Sequence, residues 1–109
     1  MSAPRRGDVY WVDLDLTVGS ESNKRRLAVV VSLNVLNERR NTVIVVPLSS
    51  QGTHRPPLVV AVSSAGEPGI ARIDQVRTVD KSRLRERIGT LSSADRKAIE
   101  DSLRAVLGL

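Results

Sequence analysis

The chain has 109 residues, with 17 Lys and Arg against 12 Asp and Glu, a formal charge of +5, and no cysteine. Disulfides and thiolate chemistry are therefore excluded, and the lone histidine, His54, cannot make a zinc site by itself, because structural zinc needs several nitrogen or sulfur ligands. The opening MSAPRRGD has no apolar run behind its arginines, and no apolar stretch approaches the about 20 residues of a membrane helix, so one soluble cytoplasmic domain over residues 1–109 is expected, with no membrane contact.

The apolar 40% is almost wholly Val, Leu, Ile and Ala, with no Phe, one Trp and one Tyr, a composition that favours sheet. Asp8–Leu16 alternates as a first strand, with Tyr10, Val12, Leu14 and Leu16 on one face. Thr17–Lys24 is polar, holds Gly19 and reads as a loop. The continuous apolar run Leu27–Ser32 predicts a central strand, and Thr42–Leu48 a third, with Pro47 near its end, where a missing ladder bond costs least. Ser49–Pro57 is a loop, Leu58–Ser63 a fourth strand, Gly66–Gly69 a turn, Ile70–Val79 a fifth strand and Arg87–Leu91 a sixth. A final helix is predicted from Ser92 as N-cap, Asp95 completing a capping box, an apolar stripe of Ile99, Leu103, Val106 and Leu107, and Gly108 as the stop. The whole describes a small antiparallel β-barrel with one C-terminal helix packed on it.

The positive balance suits a polyanion, since Lys and Arg release counterions from phosphates. Basic clusters occur at Arg5-Arg6, Lys24-Arg25-Arg26 and Arg39-Arg40. Arg26 immediately precedes the buried run, so its guanidinium is either held at the barrel rim, where its planar donors fit a phosphate, or simply bounds a strand in water. Arg72 and Asp74 lie two apart on the predicted fifth strand and would project from one face at roughly 6.5–7 Å. That pair reads as an exposed salt bridge, or as a base and an acid straddling a scissile phosphodiester. Ser49 and Ser50 end the third strand without a nucleophile elbow, so a covalent hydrolase is not expected. Tyr10 and Trp11 are the only stacking aromatics, and both also suit a core or subunit interface.

Six short motifs in order carry a resemblance to a known family. They are Arg6-Gly7-Asp8-Val9-Tyr10-Trp11 in the first strand, Gly19-Ser20-Glu21 in the loop, and Arg26-Leu27-Ala28-Val29-Val30-Val31 in the second strand, followed by Asn37. Val46-Pro47-Leu48-Ser49-Ser50, Asp74-Gln75-Val76-Arg77-Thr78 and Ile88-Gly89 with the closing helix complete the set. The chain resembles the MazF/PemK (Kid) family of toxins from type II toxin–antitoxin systems nearly end to end, although Leu16 and Leu27 stand where the family has prolines.

That resemblance implies an SH3-like barrel, a homodimer, and metal-independent, sequence-specific cleavage of single-stranded RNA, with a MazE-like, acidic-tailed antitoxin as partner and no cofactor or metal. It implies two alternative catalytic constellations. Arg26 and Ser49 take the places of the family's arginine and threonine, while Arg72 and Asp74 fall on the R-x-D strand of the Kid-like branch. Ser20 stands where that branch has a histidine. Asp74 would take the ribose 2′-proton, and Arg72 or Arg26 would neutralise the phosphorane, leaving a 2′,3′-cyclic phosphate and a 5′-hydroxyl. Ser20, Glu21, Lys24, Arg25, Ser50, Gln51, Arg77 and Arg83 are the candidate RNA contacts. The competing expectations are a CcdB-like gyrase inhibitor on the same barrel and a non-catalytic RNA-binding barrel.

Overall fold

The computed structural model describes residues 3–14, 25–65 and 69–109. Its strands are β1 (Asp8–Asp13), β2 (Arg25–Val30), β3 (Thr42–Ser49), β4 (Val59–Ala61), β5 (Ile70–Arg72), β6 (Arg77–Asp80) and β7 (Leu84–Thr90). Helix α1 (Asn34–Arg39) separates β2 from β3, and α2 (Ser93–Leu107) closes the chain. All pairings are antiparallel, in the order β4-β5-β3-β2-β1-β7, with β6 on β3 as well. Among the described residues no ladder joins β7 to β4, so the sheet is barrel-like without full closure.

Alternation along the strands fills two cores. Val9, Leu27, Val29, Val46 and Leu48 face α2, where Ile99 is buried and Leu103 and Val106 pack beside it. Val12, Leu14, Ala28, Val30, Val43, Val45 and Val79 fill the other side, with Tyr10 and Leu84 against them. Because β2 contributes to both, it reads as an unbroken apolar run rather than an alternating one. Each such buried Val or Leu contributes on the order of 1.5–3 kcal/mol relative to exposure. Tyr10 and Trp11 both pack against these cores and are half-buried, which gives each a structural role.

Several elements differ from expectation. The first strand ends at Asp13, and its predicted end at Asp15–Leu16 lies outside the described residues, as do the loop from Thr17 to Lys24 and Gly66–Pro68 of the turn. Helix α1 went unread because its N-cap, Leu33, offers no side-chain oxygen, so the usual start signal is missing. Asn37 of that helix is fully buried: Ser32 donates its hydroxyl to Asn37 Oδ1, the Asn37 amide donates to the Ser32 carbonyl at 3.1 Å, and Ser32 Oγ accepts from the Ile44 N–H at 3.0 Å. This polar knot ties α1 to β3. At the chain's end, Ser92 caps α2 by accepting from Asp95 N–H at 3.2 Å, and Gly108 stops it with φ +73°. The other half of the expected capping box is replaced, since the Asp95 carboxylate takes the N–H and hydroxyl of Ser64 and the Ser92 N–H turns to Ser64 Oγ at 3.0 Å. Leu107, assigned to the apolar stripe, is instead exposed.

The largest correction concerns Ile70–Val79. In place of one strand there are β5, a 3-10 turn at Ile73–Gln75, and β6. Both strands pair with the same edge of β3, Ala71 with Leu48 and Arg77 with Val45. Those partners are three residues apart on β3 but six apart on β5–β6, so the three residues of the turn are excess to the ladder. Ile73 makes the interruption favourable, because its side chain is fully buried in the α2-facing core and its N–H bonds the Leu58 carbonyl at 2.9 Å.

Candidate nucleic-acid site

Strand parity decides what the inserted turn does. In a continuous strand, residues five apart face opposite sides of the sheet. The odd number of extra residues resets the phase, and Arg72 and Arg77 come to line one cavity. That cavity, about 530 Å³, is walled by Leu14, Arg26, Pro47, Ser49, Gln51, Arg72, Gln75 and Arg77. It opens on the side of the sheet holding Val30 and Val45, away from α2.

Each wall residue is placed by its strand. Arg26 shares its face of β2 with Ala28 and Val30. Ala28 pairs with Pro47, and continuing that register by two residues sets Arg26 opposite Ser49. Pro47 can lie inside a strand because it sits where β3 passes from β6 to β5, between the two ladders. Arg72 ends β5 and donates from Nη2 to the Gln51 carbonyl at 2.7 Å. The Ser49 hydroxyl donates to that same carbonyl at 3.1 Å and accepts from the Gln51 N–H at 3.0 Å, closing a tight turn. With its proton engaged, Ser49 keeps one lone pair, which can accept from a substrate hydroxyl.

No salt bridge among the described residues includes Arg26, Arg72 or Arg77. The described lining has no Asp, Glu or His, so three guanidinium charges meet in one concavity with only serine and glutamine as polar neighbours. Such a concavity concentrates positive potential and attracts phosphate. Among the described residues, no cluster of three or more His, Cys, Asp and Glu exists that could hold a metal ion.

The remaining expected residues divide sharply. Arg26, Ser49 and Arg72 come together, joined by Gln51 and Arg77. Asp74 does not: it lies exposed in the 3-10 turn, outside the lining, so the acid–base pair on a single strand is not formed. Arg25 faces the opposite way from Arg26 and pairs with Asp13 at 3.5 Å. Ser50 is exposed just after β3, and Arg83 is half-buried in the turn before β7; neither lines the cavity. Ser20, Glu21 and Lys24 lie outside the described residues. Gln75 was missed as a site residue, although it sits within the Asp74-Gln75-Val76-Arg77 motif. His54 serves structure, its Nδ1 accepting from the Ala61 N–H at 3.0 Å. The Tyr10 phenol is pushed up by burial, then by Asp8, against an opposing pull from Arg87, so it stays protonated at neutral pH and offers no base.

Residues 5–107 match the family described as PemK-like, MazF-like toxin of type II toxin–antitoxin system. The chain is 35% identical to Endoribonuclease MazF9 of Mycobacterium tuberculosis, over 96% of this chain and 97% of that one. Among solved structures it is similar to an endoribonuclease in complex with its cognate antitoxin from a mycobacterial species, at 27% identity and a TM-score of 0.78, covering 100% of this chain and 97% of the other. A MazF structure from Deinococcus radiodurans has the same fold, with a TM-score of 0.83 at 23% identity and 100% of both chains covered.

Proposed function

The chain belongs to the PemK-like, MazF-like family of toxins of type II toxin–antitoxin systems, whose members are endoribonucleases, and from that premise we propose that it cuts single-stranded RNA at a short sequence, without metal, inside the Arg26–Ser49–Arg72–Arg77 cavity. The observation that carries this reading is the meeting of three guanidinium groups with a hydroxyl in a lining free of carboxylates among the described residues.

The ribose 2′-oxygen attacks the adjacent phosphorus while the bond from phosphorus to the 5′-oxygen breaks. The 2′-hydroxyl passes its proton to water, the 5′-oxygen takes one from water, and a 2′,3′-cyclic phosphate and a 5′-hydroxyl remain. Charge builds on the phosphoryl oxygens in the transition state, and Arg26 and Arg72 are placed to meet it. Arg72 is already held by the Gln51 carbonyl and needs no reorganisation; a guanidinium that meets the developing charge is worth a few kcal/mol, roughly 10²–10³ in rate. Arg77 holds the flanking backbone. Gln51 and Gln75 offer amide donors and acceptors to base edges, and DNA, lacking the 2′-hydroxyl, is a poor substrate. Electrostatic stabilisation carries the acceleration in this scheme, and Asp74 is not its base. The active species is a cytoplasmic homodimer, and a cognate antitoxin with an acidic segment neutralises it by occupying the same positive cavity.

Incubation with a long single-stranded RNA, followed by mapping of the new ends, tests this reading. Cuts at one short sequence are expected, unchanged by EDTA, bearing cyclic phosphates, and abolished by a single 2′-deoxy substitution at the cut. Intact RNA, or cleavage that survives the deoxy substitution, would overturn it.

A further inference from the structure

We infer that Gly52, acting through the Gln51 carbonyl, positions Arg72 for the reaction, which makes the turn after β3 part of the machinery that sets the rate. The inference rests on the ribonuclease reading above.

The Gln51 carbonyl accepts from both Arg72 Nη2 and the Ser49 hydroxyl, so one backbone oxygen fixes two side chains of the cavity. A carbonyl has two lone pairs and can serve both donors. It is also neutral. Elsewhere in the molecule Arg6, Arg25, Arg85 and Arg87 are held by carboxylates, which orient a guanidinium and cancel its charge together. At Arg72 the orientation is kept, and no carboxylate among the described residues takes the charge from the phosphate.

The direction of that carbonyl is set by the peptide plane between Gln51 and Gly52, which turns with φ of Gly52. That φ is +131°, a region L side chains rarely enter. A Cβ at Gly52 would meet Arg72 Nη2 at 3.4 Å, Ile70 Cγ2 at 3.6 Å and Val59 Cγ1 at 3.8 Å, all ordinary contacts. Space is therefore available, and the demand for glycine is conformational. A substituted residue relieves its strain by turning the peptide plane, and the carbonyl swings away from Arg72 with it.

A double-mutant cycle over Gly52→Ala and Arg72→Ala tests the inference, read as single-turnover cleavage of an RNA oligonucleotide carrying the mapped site. Gly52→Ala should slow the cleavage step by about 10–100-fold while RNA affinity changes by less than about threefold. In the Arg72→Ala background the same change should cost less than about threefold, because coupled residues are not additive. An equal cost in both backgrounds, or a loss of affinity alone, overturns the inference. Should Gly52→Ala fail to fold by circular dichroism, the tether is read in the unaltered protein by ¹⁵N NMR of its arginines. Slow rotation of the Arg72 guanidinium relative to exposed Arg104 is expected, and equally fast rotation overturns the inference. If the unaltered protein leaves RNA intact, the ribonuclease reading fails, while the NMR result still decides whether the tether exists.

Discussion

Arg26, Arg72 and Arg77 gather in the cavity with no carboxylate among its described walls, while Arg25, Arg85 and Arg87, along β2 and β7, are bound to Asp13 and Asp8 of β1. The two groups have the same side chain on neighbouring strands and opposite electrostatic outcomes. Asp13 receives Arg85 Nε at 2.8 Å and lies 3.5 Å from Arg25, and Asp8 receives the Arg5 N–H at 3.0 Å and the Thr90 hydroxyl at 2.9 Å, with Arg87 at 3.4 Å. The net charge of +5 is thus a poor guide to where the field lies. What matters is which arginines are left without an acid.

The contrast is broken most decisively by activity. Arg72→Ala and Arg26→Ala should each lower single-turnover RNA cleavage by about 10²–10³-fold, whereas Arg25→Ala and Arg85→Ala should lower it by no more than about threefold. Equal losses in the two groups would erase the distinction. Next comes stability: Asp8 is buried, and Asp8→Ala leaves the Arg5 N–H without its acceptor, so urea unfolding should register a loss of about 1–3 kcal/mol, with cleavage per folded molecule preserved. Arg77→Ala should weaken RNA binding at all sequences and reduce the salt slope of log K by about one, as for loss of a single phosphate contact. Asp13→Asn should sharpen the comparison from the other side, since freeing Arg25 and Arg85 should raise non-specific RNA affinity and steepen its salt dependence without faster cutting. The smallest effect is expected at Asp74, where Asp74→Asn should change the cleavage rate by less than about threefold; a loss as large as that of Arg72→Ala would return Asp74 to the chemistry.

Much of this arrangement is legible in the chain. The apolar run of β2 and the Ser92 and Gly108 caps of α2 point to the barrel and its helix, and the order of short motifs points to Arg26, Ser49 and Arg72. What hides is anything depending on phase. Nothing in Ile70–Val79 announces a break, because Ile73 looks like one more strand residue and its burial against α2 is a tertiary fact. Counting by twos from Arg72 therefore selects Asp74, and the fold selects Arg77. The Gln51 carbonyl is equally silent, since a backbone oxygen leaves no letter in the sequence; only Gly52, two residues after Ser50, hints at it.

The turn at Ile73–Gln75 also separates two properties that a continuous strand would bind together. One is where each arginine stands, which its own ladder on β3 fixes: Arg72 follows Ala71, paired with Leu48, and Arg77 is paired with Val45. The other is the length of chain between them, which the ladders leave free because the turn stands outside both. Residues added to the turn would therefore lengthen the rim of the cavity without moving either guanidinium, so the reading of bases can be re-tailored there while the grip on phosphate stays put.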